Sequence, residues 1–510
     1  MQQPTGEVLV LGGSDEMCQS LVDHRLAHRW RRPLGPSDTS PFVVAWDDCT
    51  MHVEEIARHV APEGVLYMEI DRRRRGRRTV GLRAVRRGLR GLGCDVYAAH
   101  IVTPDLRAPR RYLPMDDPAA VRWHLRVLFV AGTPISRVVR RCLSALLATP
   151  AAGAVADIVG LRYTVVATNP RDTTAPLGVP VSRGGERAIV LTSGYDQASR
   201  AVVLPFAPDA DTPTFAVKVA STTATAVGTL REHERLVALH RDLPKSTARA
   251  LPVPMGVYTL AERTACIQSC APGPSMSATV GRWGRSPAGK SGDLDVVVDW
   301  LTEFAIATRV DANEADRDWT SIYTEARAVL DLPTDVVDLL DAAETVARSS
   351  EIGKVVVHQH YDAGPWNVHI DGTKPLLIDW ETDDLRPADC RGPALADVLY
   401  LVTYWYFLVT GTRSEDDEHD AIERLFVTSP AADEAVVGGR AAIERARASL
   451  GFERDATPAV LCALWAERAV YTHRRRTSLG VLVEPGGSRP EAYLRALARA
   501  RMTMSSMDDW

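Results

Sequence analysis

Paired cysteines are what this chain most plainly lacks. Its eight cysteines, at positions 18, 49, 94, 142, 266, 270, 390 and 462, form no CxxC pair. Neither a disulfide framework nor a zinc finger is expected, and reduced thiols in a cytoplasmic protein are. Cys266 and Cys270 stand close together, but no second Cys/His pair follows them at zinc spacing. Long apolar runs are missing as well. The opening MQQPTGEVLVLGGSDEM offers about four apolar residues between polar flanks, far short of a secretory core, and reads as a first strand. The apolar stretch Val398–Val409 is shorter than the roughly 20 residues that cross a bilayer and begins beside Asp397, which suits a buried helix. A membrane span is therefore not expected. Nor is there a strong charge of either sign: the net charge of -5 gives no reason to expect nucleic acid. No internal repeat is evident, and oligomeric state is not legible.

What is present is a soluble, globular composition. Hydrophobic residues make up 45% and charged residues 25% of 510 residues, too many for one ordinary core. The N-terminal part alternates strand and helix. Glu7–Val10 leads into Leu11-Gly12-Gly13-Ser14-Asp15; Phe42–Trp46 is a second strand, Met51–Val60 a helix, Gly64–Ile70 a third strand, Arg83–Leu92 a helix and Asp95–Val102 a last strand. Such alternation predicts a parallel sheet with covering helices. Arg122–Leu147 reads as a helix, and Thr149–Gly153 as a linker. The run Arg72–Arg78 is basic enough to meet an anionic partner, although a solvated loop between strand and helix is its ordinary explanation.

The richest chemistry lies between Val355 and Tyr400. Two β-branched runs, Val355–His358 and Leu376–Asp379, bracket a turn-rich segment offering His360, Asp362 and Asn367, and the second run ends on Asp379. Phosphoryl transfer needs one carboxylate to orient or deprotonate an acceptor hydroxyl and oxygen ligands that hold magnesium against the nucleotide phosphates. Asp362 suits the first task, Asn367 and Asp379 the second. His360 would shape the loop rather than react.

These residues resemble the aminoglycoside phosphotransferase and choline kinase-like family, whose signature is H-G-D-x-x-x-x-N followed by a strand ending in I-D-W/F-E/D. His360-Tyr361-Asp362 and Asn367 match the loop, with Tyr361 in place of glycine, and Ile378-Asp379-Trp380-Glu381 matches the metal motif. The resemblance covers about Ala188 to Ser478. It implies a small lobe in which Ser193 and Gly194 lie on a nucleotide-covering loop, Lys218 in Phe215–Val219 holds phosphate, and Glu232 pairs with Lys218, with Glu234 in reserve. It places Gln268 and Cys270 on an inter-lobe hinge, makes Arg282–Asp293 an insertion before a helix at Asp295–Thr308, and has Asp397 open a buried helix that supports the catalytic loop backbone. The acidic run Glu415–Glu418 reads as a solvated loop. The cofactors implied are Mg2+ with ATP or GTP, and the partner is a small-molecule hydroxyl acceptor of unknown identity.

The N-terminal pattern APEGVLYMEI, followed by a helix ending in Gly91-Leu92-Gly93-Cys94 and by RYLPMDD, resembles the later half of a class I methyltransferase-like fold. Its first turn lacks a third glycine, and only about thirty residues separate that turn from Phe42, so a catalytically silent domain that does not bind S-adenosylmethionine is expected. The fold class expected is an α/β Rossmann-like domain at 1–148 followed by an α+β two-lobed protein-kinase-like fold, with a small lobe at 155–275 and a large lobe at 276–510. A pseudokinase or scaffold, or a methyltransferase-kinase fusion, remains the alternative.

Overall fold

The computed structural model describes residues 7–15, 29–35, 37–46, 49, 51–71, 81–104, 106, 109–129, 134–149, 162–168, 187–192, 200–208, 210–260, 263–280, 287–316, 318–380, 385–386, 389–412, 414–428, 433–478, 488–500 and 502. The chain divides into two compact units, residues 1–233 with 254–270, and residues 234–253 with 271–510. The basic run Arg72–Arg78 lies outside the described residues, as do Ser193, Gly194 and Glu381.

The first unit is built on one sheet. Its strands are β1 (Glu7–Leu11), β2 (Arg29–Arg31), β3 (Ser40–Ala45), β4 (Val60–Asp71), β5 (Asp95–Thr103), β6 (Arg111–Pro114), β7 (Arg162–Thr168), β8 (Ala188–Leu191), β9 (Arg200–Pro205), β10 (Phe215–Ala220), β11 (Pro254–Leu260) and β12 (Arg263–Ser269). Their order is β11-β12-β10-β9-β8-β6-β5-β7-β4-β3-β1-β2. The predicted parallel pairing holds for β2-β1-β3-β4. Beyond β4 it does not: β7 enters between β4 and β5 and runs antiparallel to both. Tyr163, Val165 and Ala167 of β7 are fully buried, so a strand from late in the sequence fills the middle of the sheet. Short-range alternation cannot reveal such an insertion, because it depends on a long-range pairing. The single helix expected over Arg122–Leu147 is two, Pro118–Val127 and Pro134–Leu146.

The glycine pair of the first turn has a backbone reason. Gly12 and Gly13 both adopt left-handed φ, 75° and 74°, which side chains other than glycine disfavour. A Cβ on Gly13 would stand 2.3 Å from the Trp46 ring. Arg32 donates to the carbonyl oxygens of both glycines. The face of this turn is occupied by Trp46, and its carbonyls are engaged by a cation.

The second unit is mainly helical. Its core contains Trp380, Trp405, Trp465, Tyr323, Tyr406 and Phe304, all nearly inaccessible. The apolar stretch after Asp397 is the helix Ala396–Thr410, closed by Gly411 at φ 73°. The acidic run is not a loop: Glu415–Glu418 form the first turn of the helix Glu415–Phe426, where Ser414 and Asp417 make a capping box and the carboxylates meet the positive end of the helix dipole. Part of the expected insertion is helical too, since the helix predicted from Asp295 runs from Pro287 to Ala307. Among the described residues no helix is long and apolar enough to cross a membrane.

Candidate active site

In the second unit the loop between the strands Val355–His358 and Val368–Asp371 carries the predicted carboxylate. Its shape is set by hydrogen bonds that use its backbone. Asp397 accepts from the His360 amide at 2.6 Å and from the Tyr361 amide at 3.1 Å, so the buried carboxylate at the start of the Ala396–Thr410 helix holds two loop N–H groups. Its expected supporting position is thus seen directly. Burial pushes Asp397 up to about 6, against the two amide bonds that favour its charge.

His360 is buried and polarised in a defined sense. The Asp362 amide donates to Nδ1 at 3.2 Å, so Nε2 carries the proton and donates to the Ile378 carbonyl at 2.9 Å. Its ring packs edge-on against Trp380 at 4.6 Å. Burial holds its pKa down to about 4, and the neutral imidazole is the form these bonds require. Its place in the structure is that of a loop-shaping group.

Ile378 is clamped from both sides, because its own amide donates to the Asn367 carbonyl at 2.9 Å. Asp379 comes next, with φ at 71°. The strand before it ends at Leu377 rather than at Asp379, so the aspartate sits in a left-handed turn and not in the ladder. Asp and Asn tolerate that region better than most side chains. The two hydrogen bonds at Ile378 tie the position of Asp379 to the loop that carries His360 and Asn367.

Asp362 keeps 40% of its side chain exposed. Oδ2 accepts from Asn367 Nδ2 at 2.9 Å and from Trp366 Nε1 at 3.2 Å. Oδ1 accepts from Tyr400 Oη at 2.9 Å, while Arg468 Nη2 lies 3.5 Å away. Each oxygen thus meets two donors, and the weakest of the four contacts is the one from Arg468 to Oδ1. Asn367 Nδ2 also donates to the Asp362 carbonyl at 2.9 Å, which leaves Oδ1 as the Asn367 atom suited to a cation. Among the described residues no group of three or more His, Cys, Asp and Glu side chains forms a metal cluster. The amide oxygen of Asn367 and the Asp379 carboxylate are hard donors of the kind magnesium takes when phosphates supply other ligands.

Tyr361 adopts a φ of 65°, a left-handed value that glycine takes without steric cost. The tyrosine is held by packing: its hydroxyl donates to the Arg391 carbonyl at 2.9 Å, and Arg386 lies 4.3 Å over its ring. Left-handed φ costs a bulky residue about 1–2 kcal/mol. Losing the ring and its hydrogen bond costs more, even at a half-buried position. Tyr361→Gly is therefore expected to destabilise the chain by about 1–2 kcal/mol in urea denaturation; a stabilised variant would refute this balance.

A cavity of about 70 Å³ borders the same elements, lined in part by Trp319, Tyr361, Arg391, Asp397 and Arg468.

Three residues of the site were not legible in sequence. Tyr400, Arg468 and Arg235 approach the loop from helices distant in the chain. Arg468 also donates to the Tyr361 carbonyl and lies 4.1 Å over the Tyr400 ring. Arg235 donates to the Gln359 carbonyl and sits 5.0 Å over Trp380. Their spacing from Asp362 is set by helix packing, and no local pattern announces it.

In the first unit the predicted ion pair is formed. Lys218, on the buried face of β10, donates to both oxygens of Glu232 at 2.7 and 2.8 Å. Arg200 of β9 adds a contact of 3.3 Å to the same carboxylate, a partner sequence did not indicate. The three side chains are 6%, 2% and 9% exposed, and removing one partner of such a buried pair costs about 3–5 kcal/mol. The reserve candidate Glu234 is exposed. Gln268 and Cys266 lie within β12, with Gln268 in register with Ala216 and Pro254, so both are ladder residues and Cys270 is the first residue past the strand.

The buried histidines make stability pH-dependent. His124, His360 and His369 are each at most 4% exposed, and burial is the first cause lowering all three, to about 3 for His124 and about 4 for His360. A histidine whose folded pKa is depressed stabilises above its unfolded value near 6.5, and that contribution is lost as pH falls toward the folded value. Asp397 opposes this, since its raised pKa favours the folded state as pH falls from about 6 toward 4. At about 1–2 kcal/mol each for His124 and His360 over this range, with His369 acting in the same direction, the histidines outweigh the single carboxyl. The urea midpoint is expected to be lower at pH 5 than at pH 7.5; an unchanged or higher midpoint would contradict the balance.

No protein-family profile matches the chain, and no curated protein does. Among solved structures, a type VIII aminoglycoside-3'-phosphotransferase aligns at 16% identity and a TM-score of 0.26, covering 54% of this chain and 95% of its own. A kinase domain aligns at 10% identity and a TM-score of 0.24, covering 59% of this chain and 98% of its own. What the chain does is read from its own residues.

Proposed function

We propose that this chain is a magnesium- and nucleoside triphosphate-dependent phosphotransferase acting on a hydroxyl of a small molecule, with an α+β kinase-like architecture following a Rossmann-like N-terminal region. One observation carries the reading: Asp362 presents a partly exposed carboxylate from a loop whose backbone is held by Asp397 and His360, with Asn367 bonded to that carboxylate and Asp379 tied to the same loop through Ile378. Asp362 Oδ1 receives or orients the acceptor proton. Asn367 and Asp379 hold magnesium, which neutralises phosphate charge when bound. Lys218 holds nucleotide phosphate and Glu232 orients Lys218, in keeping with their buried bidentate contact. Ser193 and Gly194 cover the nucleotide, and Gln268 and Cys270 border its base. Amino sugars, sugars, choline-like alcohols and other natural products are all candidate acceptors, and ATP and GTP are both candidate donors.

A pseudokinase reading has one observation of its own, the crowding of Asp362 by Tyr400, Trp366, Asn367 and Arg468. The 40% exposure of the Asp362 side chain and the long 3.5 Å contact from Arg468 favour activity. A nucleotide-consumption screen of the full chain against amino sugars, nucleosides and alcohols separates the two. Acceptor-dependent release of nucleoside diphosphate supports transfer, whereas magnesium-dependent nucleotide binding without consumption across the panel supports the pseudokinase. The methyltransferase fusion is disfavoured by Trp46 over Gly13 and Arg32 on the turn carbonyls. Equilibrium dialysis is expected to show no saturable S-adenosylmethionine binding at micromolar concentration.

A further inference from the structure

The first unit contains a cavity that none of the chemistry above uses. It lies between β5, β6 and the helices Pro118–Val127 and Pro134–Leu146, with a volume of about 510 Å³. That is within the range of small-molecule pockets, roughly 300–1,000 Å³. Its construction follows from register. Ile101 pairs with Leu113 and Thr103 with Arg111, so these four side chains share one face of the sheet. Val121, His124 and Leu125 follow the i, i+3, i+4 spacing of one helix face and line the cavity with them. Phe129, Leu143 and Leu147 extend its apolar wall.

Among the polar groups in that wall are His124 and Arg111, and no carboxylate among the described residues is paired with either. His124 is 2% exposed, and its Nδ1 has no hydrogen-bond partner among the described residues. Such a group is costly to leave unsatisfied. Arg111 has its pKa lowered by burial and then by the neighbouring Arg110, with no acid acting in the other direction. His124 is held down to about 3 by burial and then by Arg111. A cation and an unpartnered, buried imidazole nitrogen therefore converge on an apolar cavity that no anion among the described residues lines.

We propose that this cavity binds a small monocarboxylic acid with an apolar body, its carboxylate received by Arg111 and by the Nδ1–H of His124 and its body by Ile101, Leu113, Leu125 and Leu143. One guanidinium and one neutral imidazole match a single negative charge better than a phosphate dianion. The cationic S-adenosylmethionine is disfavoured by the same charge. Arg110, exposed at the rim, draws the anion toward the opening.

Calorimetry on the full chain tests this with octanoate, 1-naphthoate and octanol. At least one of the two acids is expected to bind saturably, one per chain, and their comparison tells a straight body from a ring. Octanol should bind at least tenfold more weakly than octanoate or naphthoate, about 1.4 kcal/mol. Arg111→Gln should weaken the bound acid about tenfold while leaving octanol unchanged, and Leu125→Trp, which fills the cavity from its apolar side, should remove binding of both. The Leu125 variant keeps the test decisive if the arginine variant fails to fold. Equal affinity for acid and alcohol, no saturable acid binding below about 1 mM, or full affinity in a folded Leu125→Trp chain would each overturn the proposal.

Discussion

Replacing Asp362 by Asn is expected to lower turnover by roughly 10²–10⁴ while leaving nucleotide affinity within a few-fold of wild type, the signature of lost general-base help. The substitution is tolerated for a geometric reason. The amide oxygen of the new side chain can keep the bonds from Asn367 and Trp366, while its NH2 faces Tyr400, whose hydroxyl oxygen accepts as well as donates. Arg468, at 3.5 Å, retains the Tyr361 carbonyl as a partner. Turnover near wild type would reject Asp362 as the proton acceptor. A wild-type chain that binds nucleotide yet transfers to no acceptor would instead weaken the enzyme reading itself, so the two failures are separable.

Asp379→Asn should have a large effect of a different kind: magnesium-dependent nucleotide affinity falls by roughly 10²-fold, within the 2–5 kcal/mol cost of removing one partner from a desolvated charge pair. The left-handed φ of 71° makes Asn the informative replacement. Asn occupies that region as readily as Asp, so the turn after Leu377 is preserved and only the charge is lost. Ile378 continues to bond His360 and Asn367 through its backbone, and the loop carrying Asp362 should remain in place. Calorimetric titration of nucleotide with and without magnesium measures the effect. Unchanged magnesium-dependent affinity would remove Asp379 from the metal site.

How much of this was legible in the chain depends on how local each interaction is. His360, Asp362 and Asn367 stand within eight consecutive positions, 360–367, and a turn between two β-branched runs presents them together with no help from distant segments. Lys218 was equally open to inspection, since a lysine alternating with small apolar residues in β10 must face the buried side of a strand. Choosing Glu232 over Glu234 was not a local matter. Two residues apart on a helix, they point to different sides, and only packing against β10 and Arg200 makes Glu232 the partner. Tyr361 departs from the glycine of the motif at a position where the backbone is left-handed. The compensation comes from Arg386 and the Arg391 carbonyl, which the loop sequence does not show.

The same division runs through the N-terminal region. Period-two apolar runs and intervening helical patterns determine β1, β3, β4 and β5 in the sequence itself, because strand periodicity and turn residues act over a few positions. The antiparallel β7 between β4 and β5 is decided by tertiary structure: about sixty residues after β5 the chain returns with Tyr163, Val165 and Ala167, and burying them in the sheet outweighs sequence adjacency. So too with the glycine turn, where Gly12 and Gly13 determine a left-handed backbone, but the Trp46 ring beside Gly13 comes from a strand beyond the turn. Asp362 and its loop belong to the sequence; the hydrogen bond donated by Tyr400 and those accepted by Asp397, which hold them, belong to the packing of the Ala396–Thr410 helix, because a buried polar group finds its partner only where the fold brings one.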